Sequence, residues 1–590
     1  MIKNTIAFFL FILYNASAQS PFPKGYFVMP ISPNHFHSGL DIRTGGQEGK
    51  RVVAAADGYV SRIRVQNGGY GNVMYITHPN GYTTVYAHLR DFNEELNQYL
   101  TQKQYEQKVW EIDVPLEPGK FEYKQGELVA YSGNTGGSGG PHLHFEIRDE
   151  KENALDPQQF GFKEIRDFAP PVIEMVSLKC MSADARINGK FGIVDFKPVR
   201  RGNGWTLPQG IKATGTIGVE VLTYDRTGNA PFRQGVHMID LQMNEELQYR
   251  FRLDKMAFHN KLDMNIHVNY ERLIQKGQKI HKCYVEEANS FDFYESNDHW
   301  GLLKIDAPQN AVKLTVSDAH GNDTRLDFNI SKADHVPGVP ESESVSIFHR
   351  YLKINTAPVK LILYGGKELI LEGDGTLPIV YDLKEGFPET VLVGDKTLAL
   401  PVNTAITLQN PKINKGALKA DFTGTLYDDA YIHTEVNDEV LLLHDDTIPL
   451  KGEAQVSWTK TSAFNYPEKL KVYLEGSKRK FIGGVWKDKT IHFKTREFGT
   501  YRTLYDFDPP TITPRTVNAD QLRFTIADKL SGIAKIECYV NGEWVLMDYE
   551  YKTGAIWARK SDPSQRFSGK LVVKITDNCN NTQSYETNVP

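Results

Sequence analysis

The residues of this chain best placed to do chemistry are His142 and His144, two imidazoles two positions apart in the apolar run Gly139-Gly140-Pro141-His142-Leu143-His144-Phe145-Glu146-Ile147-Arg148. On a strand, residues two apart share a face, so Leu143 and Phe145 would turn the other way into a core. One imidazole of such a pair can bind a metal while its neighbour serves as acid or base toward the metal's substrate. Far upstream, His35-Phe36-His37-Ser38-Gly39-Leu40-Asp41 holds a His and an Asp four apart, one nitrogen and one oxygen donor. With His144 these make a His, Asp, His set that leaves one position open for water. That is the ligand count of a catalytic zinc rather than a closed structural one. Between the two motifs, Thr84-Val85-Tyr86-Ala87-His88-Leu89 reads as another strand ending in a His.

Taken together, the motifs resemble the lysostaphin or LytM-type zinc endopeptidases, which cut the peptide part of peptidoglycan. His37-x-x-x-Asp41, Tyr86-Ala87-His88-Leu89 and His142-Leu143-His144 follow that family's order. Asp57-Gly58-Tyr59-Val60, Gly69-Tyr70-Gly71-Asn72 and Gly133-Asn134-Thr135-Gly136 match its glycine framing. The resemblance covers roughly residues 25 to 150. It implies a duplicated-hybrid-motif (barrel-sandwich hybrid) fold, one Zn²⁺ held by His37, Asp41 and His144, and His142 and His88 as catalytic residues. Such an ion lowers the pKa of bound water from about 15.7 toward about 7. The two histidines would take the water's proton, stabilise the oxyanion or protonate the leaving amine. Which is the main base stays open; His142, beside a ligand on one strand face, is favoured.

Other polar residues carry plainer readings. His35 is either a support for the metal motif or an exposed residue, and His78, before Pro79, reads as a turn residue. Tyr70 and Asn72 would line the groove, or their glycines serve turn geometry alone. Asp318 and Asp577 would suit Ca²⁺, but one Asp in a tight turn is ordinary turn chemistry.

Strands and turns must position all of this. Val52 to Ala56, Tyr59 to Gln66, Val73 to His78 and Tyr82 to Leu89 read as strands, separated by Asp57-Gly58, Asn67-Gly68-Gly69 and Pro79-Asn80-Gly81. Turns this frequent predict an antiparallel, mainly β architecture. Between His88 and Lys124 stand more residues than the compact members of the family carry. Phe92, Leu96, Tyr99 and Leu100 fall at helical spacing there, followed by a strand over Val109 to Val114. The insertion is either a packed surface elaboration or a wall over the groove.

A chain of 590 residues should hold several domains. Its net charge of -5 gives no electrostatic footprint for nucleic acid or an anionic membrane. A hydrophobic share of 40% supports packed cores rather than disorder. Residues 1–18 read as a signal peptide: Lys3, the apolar run Ile6 to Tyr14, and Ala16-Ser17-Ala18 as the cleavage site. The run is too short to span a bilayer, and no later stretch is apolar enough. The protein is therefore expected to be exported, to the periplasm or the cell surface. Cys180, Cys283, Cys538 and Cys579 show no Cys-x-x-Cys spacing. Bridges between the first two and the last two, or buried free thiols, are both open.

After the peptidase, residues 19–168, the chain repeats itself. Asp167-Phe168-Ala169-Pro170-Pro171 returns as Asp506-Phe507-Asp508-Pro509-Pro510. Thr315-Val316-Ser317-Asp318 through Gly321-Asn322 returns as Lys574-Ile575-Thr576-Asp577 through Asn580-Asn581, with a further copy at Thr223-Tyr224-Asp225-Arg226-Thr227-Gly228-Asn229. These hairpins resemble the ends of bacterial immunoglobulin-like domains. The expected modules are 169–335 and 508–590, both immunoglobulin-like β-sandwiches, the first with a partly helical insertion at Phe258 to Cys283, and two small β modules at 336–415 and 416–507. Three functions compete: a zinc endopeptidase acting on peptidoglycan cross-links, a catalytically silent regulator of another wall hydrolase, and an adhesion or structural protein. All five site positions are present, which favours the first; the β modules would then meet the wall or other envelope proteins.

Overall fold

The protein is described by a computed structural model covering residues 28–32, 35–160, 167–202, 204–208, 210–226, 233–333, 345–355, 358–373, 378–562 and 564–590, with side chains from His37 onward. The expected signal peptide, the His35 side chain and the turn Thr227-Gly228-Asn229 lie outside the described residues.

The N-terminal region is built of β1 (Val28–Ser32), β2 (His35–His37), β3 (Leu40–Arg43), β4 (Arg51–Val53), β5 (Gly58–Val65), β6 (Asn72–Thr77), β7 (Thr83–Phe92), helix α1 (Glu94–Gln107), β8 (Ile112–Pro115), β9 (Glu122–Tyr123), β10 (Leu128–Ser132), β11 (His142–Arg148) and β12 (Ala154–Leu155). All pairings are antiparallel, and β11 lies between β3 and β7. Leu143, Phe145 and Ile147 of β11 enter the core with Val60, Ile63, Met74, Ile76, Tyr86 and Leu89. The alternation expected at His142-Leu143-His144 is therefore realised, and it aims the imidazoles at the opposite face.

Helix α1 forms where the apolar spacing predicts it, capped by Asn93, whose side chain accepts from Leu96 N at 3.0 Å. Leu96 and Leu100 fill the core beside Phe92 and Phe121. Its outer face is largely exposed, but near its C-terminal end Tyr105 packs against the last module of the chain.

That module and its repeat each consist of two sheets facing one core. In the first, Val172–Cys180 pairs with Thr216–Tyr224, and Met238–Met243 pairs with Gln309–Ser317, itself in a hairpin with Asp323–Lys332. Short helices at Met264–His267 and Tyr270–Lys276 lie in the predicted insertion. In the last, the sheet of Thr511–Val517, Leu522–Ala527, Ala555–Arg559 and Leu546–Glu550 faces that of Glu543–Trp544, Ile533–Val540, Gly569–Asp577 and Thr582–Val589. The repeat has a mechanical cause. Asp318 accepts from the backbone N–H of Asn322, and the Asn322 amide donates to Asp167 O at 3.2 Å. Asp577, Asn581 and Asp506 O repeat the arrangement at 3.0 Å. Each closing hairpin is thus tied to the linker that opened its module. All four cysteines are buried free thiols. Between the two modules, one core runs from Leu352 to Tyr431 and another from Ile406 to Tyr501.

Candidate active site

Register brings the distant motifs together. His144 sits directly opposite Asp41 on one side and Ala87 on the other, so β3, β11 and β7 present their polar residues to one cleft. The spacing His37-x-x-x-Asp41 needs Gly39 between its ends: a Cβ there would stand 2.2 Å from the Phe145 carbonyl oxygen. His88 occupies a bulge between β6 and β7 at φ 58°, in the left-handed region. A non-glycine residue held there is strained, and a bulge of this kind re-aims a side chain.

His37 Nε2 lies 2.7 Å from Asp41 Oδ1, and His144 Nδ1 lies 3.0 Å from both. Two nitrogens and one carboxylate oxygen thus converge within one ion's reach, and all three donor atoms fall within 4.8 Å of one another. Such a donor set suits zinc. His142 Nε2 stands 3.4 Å from the same Asp41 oxygen. The His88 ring packs 4.8 Å from that of His142 and 5.9 Å from that of His144. All five residues identified from the sequence therefore share one cleft.

Their tautomers follow from their partners. His88 Nδ1–H donates to Thr135 O at 2.8 Å, and His142 Nδ1–H to Gly140 O at 2.7 Å. Both rings then turn Nε2 toward the cleft. Burial, with His144 and His142 beside it, pushes the His88 pKa down to about 3, so this ring is neutral at physiological pH. Burial opposes a charge on His144, but the Asp41 and Glu146 carboxylates outweigh it and raise its pKa to about 9. Asp41 is held well below the ordinary carboxylate range: burial opposes this, and His37, His142 and His144 overcome it. A proton on His144 would have to leave for a metal to bind.

Behind the cleft stands a buried polar network that sequence reasoning missed. Glu146 is fully buried, and its Oε1 accepts from His144 Nε2 at 2.9 Å, from Tyr70 Oη at 2.5 Å and from Ser38 Oγ. Arg148 Nε donates to Glu146 Oε2 at 2.8 Å. This carboxylate fixes which nitrogen of His144 faces the ligand group, the role an outer partner plays at metal-bound histidines. The signal was available: His142, His144, Glu146 and Arg148 alternate along one face of an otherwise apolar strand. Tyr70 reaches the site, as one of its two readings allowed, whereas Asn72 braces strand β7 by donating to Arg90 O at 3.1 Å. His78 is a buried structural residue, hydrogen-bonded to Asp57 O at 2.9 Å and Thr84 Oγ1 at 2.8 Å.

A model of peptidase family M23 matches residues 35–105, and a model of the Zu5-like domain matches residues 402–506. The chain carries an M23 peptidase domain. It is 36% identical over 127 residues to the DD-carboxypeptidase/endopeptidase Mpg of Neisseria meningitidis, covering 21% of this chain and 23% of that protein. It is 32% identical over 124 residues to the murein hydrolase activator NlpD of Escherichia coli, covering 21% of this chain and 26% of the relative. The chain thus spans about a quarter of the length of the curated relatives it matches. The catalytic domain of lysostaphin from Staphylococcus simulans is 26% identical and aligns over 23% of this chain and 87% of that one, with a TM-score of 0.17. No helix among the described residues is long and apolar enough to cross a membrane.

Proposed function

We propose that this M23 domain is a zinc-dependent endopeptidase that hydrolyses peptide cross-links of peptidoglycan, exported through residues 1–18 and acting in the periplasm or at the cell surface. The observation that carries the reading is the meeting of two chemistries in one cleft. His37, Asp41 and His144 would supply the donors for one ion, and His142 and His88 point their Nε2 atoms at the same space. Bound there, Zn²⁺ would act as Lewis acid toward water and a scissile carbonyl.

The chain's own residues do the rest. His142 Nε2, nearest the ligand group, takes the proton of the attacking water while Gly140 O holds its Nδ1–H. His142 then returns that proton to the leaving amine, and His88, whose neutral Nε2 faces the same space, is the alternative acceptor of the water's proton. Glu146 keeps His144 in the ligating tautomer. Zinc as cofactor, these residue roles, and contact of the immunoglobulin-like modules with the wall or other envelope proteins all belong to this proposal.

A second reading is a catalytically silent regulator, favoured by the likeness to NlpD, whose name makes it an activator of murein hydrolases. Digestion of purified peptidoglycan separates the two. Cross-linked fragments should fall to monomers with the zinc-loaded protein, and His142→Ala should slow this at least about a hundredfold, the usual scale of a lost acid or base. Chelation should abolish it. No release by a protein that holds one zinc would favour the regulator.

A further inference from the structure

We propose that Lys552 of the last module is a positioning residue for His88 and His142, so that the last module completes the active site it docks against. This rests on the endopeptidase reading for its consequence in catalysis, though not for its geometry. Lys552 Nζ donates to the carbonyl oxygens of Gly136 at 3.0 Å, of Ser138 at 3.4 Å and of Asn134. An ammonium has three donors and no acceptor, and all three are spent on one loop.

The same loop holds both histidines. Thr135, between two of the gripped carbonyls, offers its own carbonyl to His88 Nδ1 at 2.8 Å. Ser138 is gripped at its carbonyl, while its hydroxyl lies 3.2 Å from His142 Nδ1 and donates to Gly140 O at 2.8 Å, the acceptor of the His142 proton. The loop is rich in glycine, with Gly133, Gly136, Gly137, Gly139 and Gly140, and its own domain holds it through Thr135 Oγ1, which donates to Leu89 O at 2.8 Å, and Gly137 N, which donates to Gly69 O at 2.8 Å. It is pinned from below by Gly136, whose Cβ position would fall 2.3 Å from Gly71 N, and from above by Lys552.

The lysine is itself delivered by a built contact. It sits in the turn between Leu546–Glu550 and Ala555–Arg559, 3.6 Å from Glu550. That hairpin is seated by Tyr105, whose Oη donates to Arg559 O at 2.7 Å, and by Trp110 against Tyr549 at 6.1 Å between ring centroids. Arg559, paired with Asp548 at 3.0 Å, also reaches Asp91 of β7 at 3.8 Å. Peptidase and module thus meet beside the cleft, and a general acid or base works only when held in hydrogen-bond reach of its proton.

The test uses the protein from Gln19 onward with Lys552→Met, Lys552→Arg and, as a control in the other sheet of the same module, Lys535→Met. Turnover of a cross-linked muropeptide is measured beside zinc content and the Nδ1–H resonances of His88 and His142 in histidine-labelled protein. Lys552→Met should lower kcat about tenfold or more with KM within about twofold, as expected for loosened catalytic groups rather than lost binding. Zinc content should not change, and both Nδ1–H signals should broaden or vanish. Lys552→Arg should restore most of each, and Lys535→Met should match the parent. Unchanged Nδ1–H signals in Lys552→Met, or a rise in KM with kcat unaltered, overturns the proposal. If the parent protein itself proves inactive, the endopeptidase reading fails. The histidine signals still decide the role of Lys552: loss in Lys552→Met upholds it and retention overturns it.

Discussion

The first and last two-sheet modules both touch the peptidase, but they hold it in different ways. The first joins it through backbone. Its strand Lys255–Met256 pairs with β12, Ala154 opposite Met256, and extends the peptidase sheet. One core then runs from Leu40 and Ala154 of the peptidase through Met256 and Phe251. The last joins through the side chains of Tyr105, Trp110, Arg559 and Lys552. The two also reach opposite sides of the site. Phe258 of the first module lies under the Arg148 guanidinium at 4.3 Å, behind Glu146 and His144, whereas Lys552 of the last grips the loop of His88 and His142. A continuous sheet and core behave as one cooperative unit, while a side-chain contact between modules opens more readily. The proposed ligand group is therefore backed by the permanent joint, and the proposed acid-base pair by the releasable one.

The sharpest way to break this comparison is at Met256, which is 1% exposed in the shared core. Met256→Asp would place a carboxylate among Leu40, Ala154 and Phe251 and should destabilise by roughly 4 kcal/mol or more, since a buried ion without a partner is so poorly solvated. The expected calorimetric result is a lowered transition for peptidase and first module together, with the last module's transition unmoved. If the peptidase melts at its original temperature while the first module alone is lost, the two are not one unit.

How much of this was legible beforehand follows from the kind of interaction. His37, Asp41, His142 and His144 could be named because strand alternation and motif spacing are local, and His88 because the motif order resembles that of a known family. Helix α1 was legible for the same reason, its Leu96 and Leu100 lying one turn apart on the buried side. Glu146 and Arg148 were missed although they continue the alternation, because a charged pair near the end of a strand reads as solvated until its burial is known. The grip of Lys552 joins residues 416 apart in sequence, and no periodicity records such a contact. The interdomain role of α1 was hidden likewise, since the exposed-looking Tyr105 is claimed by a strand near the far end of the chain.

A smaller effect sharpens the first joint through pH. Asp156 is 1% exposed beside it, its Oδ1 accepting from Gln158 N at 3.0 Å and its Oδ2 lying 3.7 Å from His237 Nδ1. Burial, with Asp254 nearby, raises its pKa to about 7. A carboxyl that titrates higher in the fold than in the unfolded chain contributes stability that is full below about 3.8 and lost as pH rises through about 7. Asp156→Asn should therefore stabilise the peptidase and first module at pH 8 by about 2 kcal/mol, less than the full shift implies because the amide still has polar atoms to satisfy. At pH 4 it should change little. Urea titrations at the two pH values check the sign, and a gain that is equal at both would remove Asp156 as the cause.

The smallest effect isolates the releasable joint. Tyr105 Oη donates to Arg559 O at 2.7 Å and accepts from Leu546 N at 3.4 Å, while its ring stays packed on Trp544. Tyr105→Phe keeps the ring and removes only the hydroxyl, leaving a strand N–H and a carbonyl of the last module without that partner. About 1 kcal/mol should go, the ordinary net worth of a hydrogen bond. Global stability hardly registers such a loss, but an opening equilibrium does, since 1.4 kcal/mol is a factor of ten. Hydrogen exchange in Leu546–Glu550 and Ala555–Arg559 should speed up about fivefold, while exchange in β11 and β12, at the sheet joint, should not change. Were β12 to quicken as much as Leu546–Glu550, the two joints would open as one, and the division between a permanent and a releasable support of the site would fall.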